Sequence, residues 1–375
     1  MKPNFYELKA PFELENGEKL DNVKVAYNTY GKLNKNRDNA ILICHALTGS
    51  SEAGVESGSD DLRDGFWAPV IGPGRLFDTN RYFLVCMNVL GSCYGTTGPI
   101  SINPDTGEPY GPDFPRINIR DIVNLQKEMM DVLGIEKWYA VAGGSIGGMQ
   151  SLEWSIMYPD KLDKSIIIAS PFWLNSHAIG FNWIGIKAIK QDKNFYDGYY
   201  YKYDVSPDEG LALARMSAML TYKSGELLNQ RFSRFGHDIR YEGAEHEVES
   251  YLEHQGEKFV KRFDANTYLT LIDAMNTHDV RIPYDGDLQK ALSRIEAEVL
   301  LVGIEEDLLY PPSLKNHMKE ELQKAGVKVI NQQFSSLHGH DAFLVEFEKL
   351  TKAIKPFLEE CPMNSDDFDL KSSIS

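Results

Sequence analysis

A serine set among small residues constrains this chain more than any other stretch. In Ala140-Val141-Ala142-Gly143-Gly144-Ser145-Ile146-Gly147-Gly148-Met149-Gln150 an apolar strand pattern runs into Ser145 and then into a helix. Gly143 and Gly147 fit a G-x-S-x-G bend, which holds a serine in a strained strand-to-helix turn with its hydroxyl exposed. Small neighbours are needed because the bend brings the two backbones together. Taken alone the pattern arises by chance in glycine-rich chains, so its surroundings have to support it.

Those surroundings alternate between strands and helices. The apolar runs Ala40-Ile41-Leu42-Ile43-Cys44, Tyr82-Phe83-Leu84-Val85-Cys86-Met87 and Ser165-Ile166-Ile167-Ile168-Ala169 read as strands buried on both faces. Apolar residues at 119, 122, 123, 129, 130 and 133 mark an amphipathic helix that Gly134 closes. A second helix runs from Ile146 to Tyr158, where Pro159 stops it. Strand, helix, strand, helix, strand in this rhythm means a parallel sheet covered on both faces. Residues 1–36 are polar and turn-rich, and the alternation of Val23-Lys24-Val25-Ala26-Tyr27 suits an antiparallel edge. Between Gly91 and Pro115 a glycine- and proline-rich segment cannot be regular structure, and a loop of that length is expected to be functional or disordered.

From about Pro171 to Arg294 the rhythm breaks into aromatic-rich helical sequence without buried-strand runs. It resumes with Ala297-Glu298-Val299-Leu300-Leu301-Val302-Gly303, a helix at 313–324, a strand at 327–330 and a final helix beginning near Ala342. The expected fold class is therefore α/β: a mostly parallel sheet with helices on both faces and an inserted helical lid. Residues 1–170 and 295–358 form the core in this reading, 171–294 the lid, and 359–375 an acidic, disordered tail. A formal net charge of −16 argues against a nucleic-acid or anionic-membrane partner. Neither an apolar run of about 18 residues nor a basic start followed by apolar sequence is present, so a cytoplasmic chain, neither secreted nor membrane-spanning, is expected. Cys44, Cys86, Cys93 and Cys361 form no C-x-x-C pair, which suits a reducing compartment.

Catalytic groups on an open parallel sheet lie in loops at the carboxyl ends of its strands. In the α/β-hydrolase arrangement serine, acid and histidine follow one another in that chain order. His317, His338 and His340 follow a candidate acid beyond the lid. His317 falls inside a helix, and His340 is preferred to His338 because it stands immediately before the last helix. For the acid, Glu305, Glu306 and Asp307 follow the strand ending at Gly303; Asp307 is preferred because Pro311 and Pro312 fix the turn beyond it. In these roles His340 removes the proton of Ser145 while the carboxylate holds the imidazole tautomer and stabilises its cation. A developing oxyanion needs two fixed donors, supplied in this fold by the amide of Ile146 and one from the first strand's loop, Leu47. His338-x-His340 beside Asp341 could be half a metal site, but no second ligand cluster stands at another strand end, and no metal is expected.

Within the lid, helical spacing puts Arg215 on one stripe with Leu211, Met219 and Tyr222. A guanidinium on an apolar stripe needs an anion, either a structural partner or a substrate carboxylate. Asp341, next to the base, offers the opposite charge, and Arg215, Asp341 and Tyr222 together would bind a zwitterion such as an amino acid. His45 reads as a loop-packing residue, and Tyr199, Tyr200, Tyr201 and Tyr203 as core or interface.

Several segments together resemble the homoserine O-acetyltransferase family over nearly the whole chain, from about Phe5 to Phe357. They are His45-Ala46-Leu47-Thr48-Gly49, Ile71-Gly72-Pro73-Gly74, Asn88-Val89-Leu90-Gly91, Cys93-Tyr94-Gly95-Thr96-Thr97-Gly98-Pro99, Gly144-Ser145-Ile146-Gly147-Gly148-Met149-Gln150, Asp307-Leu308-Leu309-Tyr310-Pro311 and Gly339-His340-Asp341-Ala342-Phe343. The resemblance implies Ser145 as nucleophile, Asp307 and His340 as its partners, and Arg215 and Asp341 as the homoserine-binding pair. It implies a ping-pong reaction of methionine biosynthesis: acetyl-CoA, a co-substrate and not a bound cofactor, acetylates Ser145, and the side-chain hydroxyl of L-homoserine takes the acetyl group. Relatives of this kind use succinyl-CoA or acylate serine, and a plain serine esterase is the remaining alternative. A homodimer joined through the lids is implied as well. Two positions depart from the family pattern: Ile146 stands where methionine is frequent, and Ser51-Glu52 where a histidine is common. The cations Arg231, Arg234, Lys258, Lys261 and Arg262 are candidates for the CoA phosphates by charge alone.

Overall fold

The computed structural model describes residues 2–55, 65–234 and 239–359. In chain order its strands are Asn4–Glu7 (β1), Phe12–Glu13 (β2), Lys19–Leu20 (β3), Lys24–Tyr30 (β4), Ala40–Cys44 (β5), Phe83–Met87 (β6), Trp138–Gly144 (β7), Leu162–Ile168 (β8), Glu298–Ile304 (β9) and Val329–Phe334 (β10). All but β2 and β3, which pair with each other, form one eight-stranded sheet in the order β1-β4-β6-β5-β7-β8-β9-β10. From β6 to β10 every neighbouring pair is parallel, while β4 runs antiparallel to β6 and β1 antiparallel to β4. The polar, alternating start of the chain thus lies at the antiparallel edge.

Both faces of the central strands are covered. Leu42 and Cys44 of β5 join the core on one face and Ile41 and Ile43 that on the other. In β9, Val299 and Leu301 face one way and Leu300, Val302 and Ile304 the other. A strand that packs on both sides has no solvent face, so its sequence is a continuous apolar run.

The helices are Ile119–Val132 (α1), Ile146–Met157 (α2), Ser176–Gln191 (α3), Asp208–Tyr222 (α4), Gly225–Arg231 (α5), Glu247–Val260 (α6), Ala265–Asn276 (α7), Leu288–Leu292 (α8), Pro312–Lys324 (α9) and Phe347–Glu359 (α10). Asn118 and Asp121 cap α1 reciprocally: each side chain accepts from the other's backbone amide, at 3.0 and 2.9 Å. Nearly every residue of α2 is buried, because it lies between the sheet and α1. Helices α3 to α8 all come from the segment between β8 and β9; α4 packs on α3 and α6, and α3 on α7. None of the described helices is long and apolar enough to cross a membrane.

Two expectations about the end of the chain are corrected. The strand after α9 is Val329–Phe334, later than 327–330. The last helix begins at Phe347, not near Ala342, which lies in a 3₁₀ turn over Gly339–Leu344. Ala342 and Phe343 are buried and so look like the start of an amphipathic helix, but they belong to the turn. The tail expected at 359–375, with Cys361, lies outside the described residues beyond Glu359.

Candidate active site

Chain reversal at Ser145 is sharp. It carries φ 59° and ψ −124°, ends β7 and opens α2, and its amide donates to the Ile168 carbonyl at 3.0 Å. A non-glycine residue at positive φ is strained and persists only where the surroundings impose it. Here the imposition is close approach: a Cβ on Gly143 would lie 2.5 Å from the backbone of Gly147, and one on Gly147 would overlap the Cys44 carbonyl at the end of β5. The glycines flanking Ser145 are therefore required by backbone packing, as the G-x-S-x-G spacing leads one to expect.

Asp307 follows β9 and His340 follows β10, in the 3₁₀ turn and not at a helix start. The two meet: His340 Nδ1 lies 2.8 Å from Asp307 Oδ2, with both side chains almost fully buried. The other carboxylate oxygen, Oδ1, accepts from the amides of Leu309 and Tyr310 at 2.8 and 2.9 Å. The carboxylate therefore cannot rotate, and it fixes the imidazole plane. Burial pushes the pKa of His340 down, but the charge of Asp307, its hydrogen bond and the nearby Asp341 outweigh burial and leave it raised above the ordinary histidine value. Tyr310 and Phe343 meet the ring edge-on, with centroids 5.2 and 5.8 Å away. Glu305 and Glu306 do not share this contact; Glu306 accepts instead from the amide of Ser336, at 2.6 Å, in the turn leading to His340. The nearby His338 presents a buried Nδ1 without a partner among the described residues.

The turn after β5 carries Leu47. His45 is fully buried, donates from Nδ1 to the Ala46 carbonyl at 2.7 Å and accepts at Nε2 from the Val89 amide at 3.1 Å and the Asn88 side chain at 3.2 Å. Burial lowers its pKa to about 4, against which the Ala46 carbonyl pulls only weakly, so it is a neutral packing residue that ties the turn to the segment after β6. Neither the Leu47 nor the Ile146 amide donates to an acceptor among the described residues.

Ser145, Leu47, His340 and Asp341 line one cavity of about 280 Å³, roofed by Ala178 and Asn182 of α3, Arg215 and Tyr222 of α4, and Tyr268 and Met275 of α7. Ser145 and His340 thus face the same space. Arg215 has its guanidinium carbon 5.5 Å from the centroid of the Tyr222 ring and 5.1 Å from that of Phe259, with no carboxylate partner among the described residues. Burial raises the Tyr222 pKa, Arg215 lowering and Asp341 raising it less. Asp341 departs from expectation: Lys223 Nζ lies 3.2 Å from its Oδ2, so the carboxylate already holds one cation. Of the cations weighed for CoA, Arg262 borders the cavity and donates to the Thr48 carbonyl at 3.1 Å and the Tyr94 hydroxyl at 2.7 Å. Lys261 is held by Glu257 at 2.6 Å, and Arg231 packs on Phe232 and Tyr251, outside the cavity wall. Among the described residues no group of three or more His, Cys, Asp or Glu side chains is arranged to hold a metal ion.

Residues 39–344 match the α/β-hydrolase fold family. The homoserine O-acetyltransferase of Carboxydothermus hydrogenoformans is 48% identical over 356 residues, covering 92% of each chain. The chain belongs to the homoserine O-acetyltransferase family. Another relative, the homoserine O-succinyltransferase of Alkalilimnicola ehrlichii, is 42% identical, covering 93% of this chain and 92% of its own. Among solved structures, esterase E22 superimposes with a TM-score of 0.87 at 30% identity, covering 96% of this chain and 100% of that one. Homoserine O-acetyltransferase from Bacillus anthracis also has a TM-score of 0.87, at 29% identity and with 96% and 97% covered.

Within this family member, the residue that sequence reasoning missed is Lys223. It stands at the carboxyl end of α4, where a lysine is commonplace because it complements the helix dipole, and its partner is 118 residues away. Only the pairing of two distant segments reveals it.

Proposed function

We propose that this protein transfers the acetyl group of acetyl-CoA to the side-chain hydroxyl of L-homoserine, through an acyl group carried on Ser145. One observation carries the reading: the cavity lined by Ser145 and by His340, which Asp307 holds, is also lined by Arg215, a guanidinium with no carboxylate partner among the described residues. A site for a plain ester has no use for that charge, whereas an amino-acid carboxylate would pair with it.

In the first half-reaction His340 takes the proton of Ser145 as its Oγ attacks the thioester carbonyl. The amides of Leu47 and Ile146 stabilise the oxyanion. The carbon–sulfur bond breaks, His340 returns the proton to the departing thiolate of CoA, and acetyl-Ser145 remains. In the second half-reaction the homoserine hydroxyl gives its proton to His340 and attacks the acyl carbon. The Ser145 Oγ–acyl bond breaks, and Ser145 recovers a proton from His340. Asp307 holds the tautomer with Nδ1 protonated throughout. Arg215 binds the acceptor carboxylate and Asp341 its ammonium, with Tyr222 as the wall between them. The segment between β8 and β9 acts as the lid that keeps water from the acyl group.

Following thiol release from acetyl-CoA or succinyl-CoA with homoserine, serine or water as acceptor tests this reading. Release is expected to depend on homoserine; equal release with water alone would favour the esterase reading suggested by the likeness to esterase E22. Arg215→Ala is expected to reduce kcat/KM for homoserine by about 10²-fold or more, the loss for a charged group left unpaired, while the acyl-enzyme still forms. If acylation fails equally, Arg215 is structural.

The exposed residues Trp183 and Ile184 of α3 and Leu213 and Leu220 of α4, on helices that pack together, support a homodimer joined through the lids. The double variant Trp183→Asp/Leu220→Asp is expected to sediment as a monomer, and unchanged sedimentation would move the interface elsewhere. Free Cys44, Cys86 and Cys93 suit a reducing, cytoplasmic setting.

A further inference from the structure

The carboxyl end of α4 is stitched to the turn that carries His340. Ser224 donates to the Leu337 carbonyl from its amide at 3.2 Å and from its hydroxyl at 2.7 Å. Gly339 has φ 56°, and a Cβ there would come within 3.0 Å of the Tyr222 carbonyl and 3.2 Å of the Ser224 amide. Lys223 sits in the middle of this seam. Its Nζ reaches Asp341 Oδ2 at 3.2 Å, with side chains only 10% and 21% exposed, so solvent screens the pair weakly. Asp341 Oδ1 has no donor among the described residues, and Asp341 lines the cavity whereas Lys223 is not part of its lining. Arg215, on the same helix two turns earlier, borders the cavity without a carboxylate partner among the described residues.

These charges do not balance. Arg215 and Lys223 contribute two positive charges and Asp341 one negative, and Arg262 also borders the cavity, so positive charge is in excess around the acceptor. We propose that Lys223 is a specificity-determining residue, which offsets part of the attraction of Asp341 for an ammonium group and so makes the acceptor carboxylate the dominant recognition element. This rests on the reading of Arg215 and Asp341 as the acceptor-binding pair. The physical ground is that a carboxylate already hydrogen-bonded to one ammonium gains less from a second, whereas an unpaired guanidinium keeps its full attraction for an anion. Without Lys223, Asp341 would be a bare half-buried carboxylate, and an acceptor carrying only an amine would bind it readily. With Lys223 in place, homoserine is selected over hydroxyl compounds of equal length that lack its carboxylate.

The test compares two truncated acceptors on the same acyl-enzyme: 4-hydroxybutanoate, which keeps the carboxylate, and 3-aminopropan-1-ol, which keeps the amine. Because both draw on one acyl-enzyme, any general damage in a variant cancels in the ratio of their kcat/KM values. The wild type is expected to favour 4-hydroxybutanoate. In Lys223→Met and Lys223→Gln that preference is expected to fall by about tenfold, the effect of one close charge in a partly buried setting. Lys223→Arg keeps the charge and is expected to retain the wild-type ratio. The two neutral variants differ in shape, so a folding failure in one leaves the other informative, and acetylation of Ser145 by acetyl-CoA, read by intact mass, identifies the folded one. An unchanged ratio in a neutral variant that still uses homoserine would overturn the role of Lys223 and leave the transferase reading standing. If the wild type uses neither homoserine nor either analogue, the transferase reading fails, and the role of Lys223 with it.

Discussion

Ser145→Ala is expected to lower kcat by about a millionfold, the loss seen when the nucleophile of a serine triad is deleted, and to abolish acylation by acetyl-CoA when intact mass is measured without acceptor. The elbow should survive the change. Its φ of 59° is imposed by the contacts of Gly143 and Gly147, and the amide of Ser145, which alanine retains, makes the 3.0 Å bond to Ile168. The melting temperature is thus expected to stay close to that of the wild type while chemistry disappears. A variant that remained acylated would place the nucleophile elsewhere; Cys93 is a poor substitute, because burial raises its thiol pKa to about 11 and leaves little thiolate at neutral pH.

Asp307→Asn is expected to reduce kcat by about 10⁴-fold, the loss associated with an inverted imidazole tautomer. The geometry states why. Oδ1 of Asp307 accepts from two amides, so an asparagine would keep its carbonyl oxygen there and turn its NH₂ toward His340 Nδ1. Nδ1 would then have to accept, Nε2 would carry the proton, and the ring could not take one from Ser145. The pH profile provides a second reading. Burial lowers the His340 pKa, but the Asp307 charge and hydrogen bond raise it overall, and the proposed mechanism needs the neutral form. Wild-type kcat/KM should therefore fall as the pH drops through a midpoint above the ordinary histidine value of about 6.5, and residual activity in Asp307→Asn should have its acid limb shifted down. An unshifted limb would show that a different group titrates.

Much of this is legible in the amino-acid sequence. Apolar runs such as 40–44 and 298–304 have one meaning in a layered α/β fold, because only a strand covered on both faces needs to be apolar throughout. Asp307 and His340, 33 residues apart, could be chosen because strand ends and chain order restrict the positions open to them, and they form one hydrogen bond. The sequence pattern puts the start of the last helix too early because Ala342 and Phe343 are as apolar as a helix start, and local pattern does not separate a buried 3₁₀ turn from an α-helix.

The acceptor end of the cavity shows where sequence stops. Arg215 stood out because a guanidinium on an apolar stripe is costly wherever the helix packs, a constraint that local spacing carries. Asp341 was also visible, through its place beside His340. That its carboxylate is shared with Lys223 follows from the seam between α4 and the His340 turn, which two segments more than a hundred residues apart create only when they fold together. Local sequence determined the strained serine, the antiparallel edge and the candidate acid and base, because backbone sterics and strand burial act over a few residues. The balance of charge around the acceptor was decided by tertiary structure alone, since electrostatic pairing depends on distance in space and has no period along the chain.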